Sequence, residues 1–327
     1  MRFCIKADFK RVFSYKLYSF CTKLPDFFVN ESLRVSIYKV FNSYGKVDIM
    51  GKILRVFPRL TRQTPDDDYV AIGSPNLFIP EDISEIHVSV TFTWDLPEAE
   101  VLVKEWSRYA PTAMGGPATG QRGGEFTPGM YLKNGYVITS RGCPNNCWFC
   151  SVPKREGNIR ELEIKDGWIV QDDNLLACSE KHVRAVFEML KRQKHRPIFS
   201  GGIEAKILKP WHIDLFKEVK PERIYFAYDT PDDLPPLLEA VKLFKEGGCY
   251  KSRLLFCYVL VGYHGDTFDK AEERLETVKN LGITPFAMLY RDFKGETKEE
   301  WRKFQRSWAR PAAIWAKSRC KQLGKSD

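Results

Sequence analysis

Cys143, Cys147 and Cys150 stand together in the run Gly142-Cys143-Pro144-Asn145-Asn146-Cys147-Trp148-Phe149-Cys150. Thiolates are soft ligands that hold zinc, copper(I) and iron–sulfur clusters. Three of them on one short loop can cap three irons of a cubane and leave the fourth open to a substrate or cofactor. A zinc site draws instead on C-x-x-C pairs joined by a second pair or by spaced histidines, and the chain offers neither. A disulfide framework suits short secreted chains, whereas this one has 327 residues and an odd total of nine cysteines. The spacing favours an iron–sulfur loop, with zinc or no metal as the alternatives. Cys4, Cys21, Cys178, Cys249, Cys257 and Cys320 are scattered and read as small core residues.

Such a loop needs a rigid support. From Gly135 to Asp292 the chain reads as repeated strand-then-helix units, the pattern of a parallel barrel. Strands are expected at Tyr136–Thr139, Trp168–Val170, Pro197–Ser200, Arg223–Tyr228, Leu254–Val261 and Pro285–Tyr290. Helices are expected after the capping Ser179 as far as Lys191, over Leu234–Lys245, and over Phe268–Asn280 with Gly282 at its end. Ligands in such a fold gather at the carboxyl ends of the strands. Polar and glycine residues fall there: Asp172, Asp173 and Asn174 after the second strand, and Gly201, Gly202 and Glu204 after the third. Asp229 follows the fourth, Gly262 and Tyr263 the fifth, and Arg291 the sixth.

Upstream, residues 50–130 read as a smaller α/β domain. Ile53–Phe57 and His87–Trp94 look like strands, and Glu98–Tyr109 like a helix capped by Asp95 with Pro97 in its first turn. Ala113-Met114 then runs into the turn Gly115-Gly116-Pro117. The fold expectation is therefore α/β: a partial (β/α)6 TIM-like barrel over 131–295, preceded by a small βαβ Rossmann-like unit. It is followed by basic C-terminal helices over 296–327, around 298–309 and 312–322, separated by Pro311. Residues 1–49 lack the strand pattern and form an N-terminal extension; translation starting at Met50 would make that extension non-native.

The formal charge of +9 is unevenly spread, with +5 in residues 1–49 alone. Between Trp301 and Lys321 seven Lys and Arg occur without an acid. Such a stretch can bind a phosphate backbone, although it is also the composition of a solvated helix face. No apolar run is long enough to span a membrane, and cysteines without a secretion signal point to the reducing cytoplasm.

The C-x-x-x-C-x-x-C run resembles the signature of the radical S-adenosylmethionine (radical SAM) superfamily. That resemblance implies a 4Fe-4S cluster on Cys143, Cys147 and Cys150, with S-adenosylmethionine chelated at the open iron and Phe149 beside its adenine. Gly201, Gly202 and Glu204 resemble the motif that meets the SAM ammonium, with one residue inserted before the glutamate. Gly262 lies in a run resembling the segment that contacts adenine. Asp173, in Asp172-Asp173-Asn174, and the continuation Val152-Pro153-Lys154-Arg155-Glu156-Gly157 resemble the cobalamin-dependent and methylthiotransferase branches. Residues 50–130 are similar to a shortened cobalamin-binding domain without its D-x-H-x-x-G loop, since His87 has neither the aspartate nor the glycine. The resemblance implies reductive cleavage of SAM to a deoxyadenosyl radical that abstracts hydrogen from an unknown substrate. Electrons would come from a donor such as a flavodoxin or ferredoxin. Asp229, Tyr263 and Arg291 are the substrate-pocket candidates. A tRNA-modifying enzyme and a non-catalytic metal-binding protein are the alternative readings.

Overall fold

The computed structural model describes residues 52–311, apart from 78 and 252, together with 314–315. The expected extension over 1–49, nearly all of the helix expected at 312–322, and Cys4, Cys21 and Cys320 lie outside the described residues.

The first sheet is four-stranded and parallel, in the order β2-β1-β3-β4: β1 Lys52–Phe57, β2 Val70–Ile72, β3 Ile83–Ser89 and β4 Thr112–Gly115. Helix α1, Leu96–Trp106, connects β3 to β4. It buries Ala99, Leu102 and Trp106 against Leu54, Val56, Ile86 and Val88. The 3- and 4-residue spacing of those helical positions turns one face to the sheet. The expected strand over His87–Trp94 is displaced: pairing starts earlier, and residues 93–95 form a 3-10 turn. Phe92 and Trp94, whose alternation suggested a strand, stack on each other at 4.8 Å. Asp95 holds the N-cap position but makes no capping hydrogen bond; its buried carboxylate pairs with Arg59 instead.

The second sheet contains six parallel strands in sequential order. They are β5 Tyr136–Val137, β8 Ile169–Val170, β9 Ile198–Phe199, β10 Arg223–Ala227, β11 Leu255–Val261 and β12 Thr284–Leu289. Each pairs with the strand before it, which is the partial (β/α)6 arrangement. The strand positions agree with the expected ones, but β5, β8 and β9 are shorter because the chain turns early into its loops. β11 is buried along almost its whole length, as a strand covered on both faces must be. Its crossovers are α3 Glu180–Lys191, α4 Pro210–Val219, α5 Leu234–Glu246 and α6 Phe268–Asn280, and α7 Glu299–Ser307 follows β12. Short helix α2, Val152–Arg155, lies between β6 Ser140–Arg141 and β7 Arg160–Glu161, which pair antiparallel.

Ser179 caps α3 by accepting from the His182 N–H at 3.2 Å, and Thr267 caps α6 through the Lys270 N–H at 3.3 Å. Between sheet and helices the core is a run of phenylalanines. Phe216 of α4 stands 5.1 Å from both Phe187 and Phe199 and 5.4 Å from Phe244, centroid to centroid. Helix α4 supplies the central member of that run, and its Ile213-x-x-Phe216-x-x-Val219 spacing marks a buried face.

Candidate functional site

The cysteine loop grows out of the carboxyl end of β5, and the adjacent end of β8 holds it in place. Asp172 is fully buried; it accepts the Thr139 N–H at 2.7 Å and the hydroxyls of Thr139 and Ser140 at 2.6 and 2.7 Å. Burial outweighs those hydrogen bonds and pushes its carboxyl up to about 6. Asp173 accepts the Gly142 N–H at 2.8 Å and is also raised by burial. Asn174 donates to Cys143 Sγ at 3.4 Å and to Glu204 Oε2 at 2.6 Å. The three consecutive polar residues thus seize three successive parts of the loop.

Gly142 is dictated by the backbone. Its φ is +90°, and an added Cβ would lie 2.3 Å from the Asn158 carbonyl, so no side chain fits between the strand end and the return of the loop. The Cys143 N–H donates to the Gly157 carbonyl at 3.1 Å, and the Cys150 N–H to the Cys147 carbonyl at 3.1 Å. All three thiols are free; Cys147 is exposed and the other two are half-buried. Burial, followed by the neighbouring thiols, pushes Cys147 up, and Asp233 and Asp229 add to it. Cys150 is raised chiefly by burial. Among the described residues no three His, Cys, Asp or Glu side chains converge on the position of a single ion.

The other sequence candidates divide into those brought to the loop and those held elsewhere. Glu204 reaches the loop through Asn174. Gly201 allows β9 to approach β8, since a Cβ there would lie 2.1 Å from the Asp172 carbonyl, while Gly202 adopts φ +99°. Phe149 meets Trp148 edge-on at 5.3 Å. Trp148 also meets Tyr263 at 5.6 Å and Tyr290 at 5.7 Å, so the loop after β5 touches the far strands β11 and β12. Asp229 accepts the Leu260 N–H at 2.9 Å, and burial, with Asp233 beside it, pushes it up to about 6. Gly262 packs under Trp301 and Leu289 and donates its N–H to Asp266 at 2.8 Å. Arg291 lies over the Trp94 ring at 5.0 Å. Among the remaining cysteines, Cys257 is fully buried, and burial drives the Cys178 thiol up to about 12. Sequence reasoning gave Trp148 and Tyr290 no role; two aromatics beside cysteines and strand ends were the available signal.

The sequence profile of the Radical SAM superfamily matches residues 137–307, just over half of the chain. No curated protein matches in sequence. One solved structure with a similar fold is TsrM from Kitasatospora setae, a radical S-adenosylmethionine methyltransferase with cobalamin and a 4Fe-4S cluster bound. The TM-score is 0.51 at 13% identity, covering 72% of this chain and 74% of that one. The profile spans the cysteine loop and all six strands of the second sheet apart from the first residue of β5. The chain belongs to the radical SAM superfamily and is an enzyme that works with a 4Fe-4S cluster and S-adenosylmethionine.

Proposed function

We propose that Cys143, Cys147 and Cys150 hold the 4Fe-4S cluster and that the enzyme abstracts hydrogen from a small-molecule substrate. The observation that carries this reading is the braced three-thiol loop at the carboxyl end of a parallel sheet, where βα loops converge. When bound, the cluster supplies the electron that splits S-adenosylmethionine into methionine and the hydrogen-abstracting deoxyadenosyl radical. The chain's residues orient and exclude water. Burial raises Cys147 and Cys150, and a bound metal centre would bring the positive charge that favours their thiolates. Asn174 donates to one sulfur while holding Glu204, whose carboxylate would take the SAM ammonium. Gly201 and Gly202 leave bare backbone beside it, and Phe149 would flank the adenine. Asp173 serves the cofactor by fixing Gly142, and Gly262 by letting Trp301 close behind the strand end. Asp229 and Tyr263 face the loop as substrate contacts; Arg291 contributes through Trp94 at the rim.

The electron donor is a flavodoxin or ferredoxin, and a reducing cytoplasm suits the exposed thiol. No helix among the described residues is long and apolar enough to cross a membrane. On helix α7 Arg302 and Arg306 lie 3.7 and 4.0 Å from Glu299, and a tRNA substrate stays the alternative reading of the basic C-terminal run. The D-x-H-x-x-G loop is missing, and His87 contacts Glu85 at 2.9 Å and Tyr131 at 2.5 Å, so the chain offers no histidine of that motif as a cobalt ligand. Anaerobic reconstitution tests the reading. It should bind close to four irons and sulfides and, with reductant, form 5′-deoxyadenosine from SAM. Alanine at any one of the three cysteines should abolish that product. A zinc-loaded, iron-free protein would refute it.

A further inference from the structure

Successive side chains of a strand point to opposite faces, so the second sheet has one face under its helices and one turned into the partial barrel. On β11, Cys257, Val259 and Val261 belong to the core beneath the helices, which leaves Phe256, Tyr258 and Leu260 on the inner face. Register carries that face across the neighbouring strands. Tyr225 and Ala227 of β10 pair with Phe256 and Tyr258, and Phe286 and Met288 of β12 pair with Tyr258 and Leu260.

The inner face changes character along its length. Toward the amino ends it is filled with rings: Tyr225 stacks on Phe256 at 4.9 Å and on Tyr258 at 4.7 Å, and Tyr258 meets Phe286 edge-on at 5.8 Å. Toward the carboxyl ends the filling stops. Ala227 is exposed, Met288 is 40% exposed, and a Cβ on Gly202 would meet nothing within 4 Å. Barrel interiors are ordinarily packed in layers of bulky side chains; here the layer next to the cysteine loop is left open.

Asp229 stands at the rim of that opening. It continues the alternation of Tyr225 and Ala227 beyond β10, and its carboxylate accepts the Leu260 N–H at 2.9 Å. It lies within electrostatic reach of Cys147. The charged groups around it are already committed: Lys206 to Asp233 at 3.1 Å, Arg274 to Asp266 at 2.9 Å, and Glu204 to the Asn174 amide at 2.6 Å. Arg274 opposes the rise of Asp229 only from a distance, and Asp229 is in no ion pair among the described residues. With its carboxyl at about 6, Asp229 is ionised above neutral pH and is then a half-buried anion lacking a cation, a costly arrangement that a bound cation offsets. Trp148 and Tyr290 meet at 5.7 Å near the same strand ends, and aromatic faces attract cations.

We propose that the substrate is a protonated amine with an apolar body, the ammonium docking on Asp229 and the body lying in the open layer over Ala227 and Met288. The substrate role rests on the radical chemistry proposed above; the binding does not. An ammonium brings three donors and a full charge, where a hydroxyl brings one donor and none.

The probe is 4-fluorobenzylamine, compared with its neutral counterpart 4-fluorobenzyl alcohol and followed by fluorine NMR relaxation. Each is added to the oxidised, cluster-loaded full chain at about pH 8, where Asp229 is ionised and the amine protonated. Excess SAM keeps the probe off Glu204. Saturable binding of the amine is expected, tighter than that of the alcohol. Asp229→Asn should weaken the amine about tenfold to a hundredfold, the range of a hydrogen bond to a charged group, and remove its advantage over the alcohol. Ala227→Leu, which fills the open layer from an exposed position, should abolish binding of both. Absence of saturable binding, equal affinity of the wild type for amine and alcohol, or an affinity unchanged in either variant overturns the assignment. If Asp229→Asn does not fold, the preference of the wild type for the amine and the loss in Ala227→Leu decide. A wild type that binds the amine yet forms no 5′-deoxyadenosine from SAM would refute the radical chemistry and leave the binding site in place; the converse result would refute the amine site alone.

Discussion

Replacing Asp172 with asparagine should change how stability depends on pH. In the native protein this carboxyl sits at about 6, against 3.8 for an ordinary aspartate. Between those values the folded state binds more protons than the unfolded chain, so stability falls as pH rises through this window and then levels off. A shift of about two units corresponds to about 3 kcal/mol at 1.36 kcal/mol per unit. Full burial leaves no solvent screening to discount. Roughly half of that penalty is already present at about pH 5, and nearly all of it by about pH 7.5. Asparagine keeps the shape, accepts the Thr139 N–H and can turn its amide toward the two hydroxyls, which accept as readily as they donate. Whatever fixed cost it carries, it cannot ionise. Relative to the wild type, the variant should therefore gain roughly 1.5 kcal/mol between about pH 5 and about pH 7.5. Anaerobic urea denaturation followed by tryptophan fluorescence measures it. Asp229 also titrates near 6, but it is common to both proteins and cancels in the difference. Stability curves that run parallel across this range would show that Asp172 is not a strained carboxylate, and the account of the brace would be wrong.

Gly201→Ala puts a methyl 2.1 Å from the Asp172 carbonyl and should cost about 3 kcal/mol or more, seen as a lowered Tm; an unchanged Tm would contradict the close approach of β8 and β9. Phe216→Ala empties the centre of the phenylalanine run, and a loss of about 3–5 kcal/mol is expected by chemical denaturation. Asn174→Ala removes a donor to Cys143 Sγ. Fewer hydrogen bonds to sulfur make a cluster harder to reduce, so its midpoint potential by EPR-monitored titration should become more negative. A potential equal to wild type would remove Asn174 from the cluster's surroundings.

Much of the fold could be read locally because parallel sheets leave a strong local record. β11 is apolar almost throughout, α3 and α6 carry their own caps, and the repeated alternation of such units implies a sequential barrel. The edges read less well. His87–Trp94 has the alternation of a strand, yet pairing with β4 ends near Ser89 and Phe92 satisfies itself against Trp94. Asp95 has the right residue type for a cap, but an arginine from a distant loop claims its carboxylate. Local pattern cannot register a partner that is far away in sequence.

The same division runs through the site. Three cysteines at that spacing, within a strand-to-helix loop, pointed to the superfamily that the sequence profile shows, because thiolate number and separation on one short segment are local properties of the sequence. The use made of Asp172, Asp173 and Asn174 was decided only in three dimensions. Their composition allows ligand contact or a turn, and the packing of β8 beside β5 turns all three onto the cysteine loop. The contact of Trp148 with Tyr263 and Tyr290, and that of Asp229 with the Leu260 N–H, likewise join residues from 31 to more than 140 positions apart. Such contacts depend on how strands are ordered and loops converge, and the chain encodes that only through the packing of the whole.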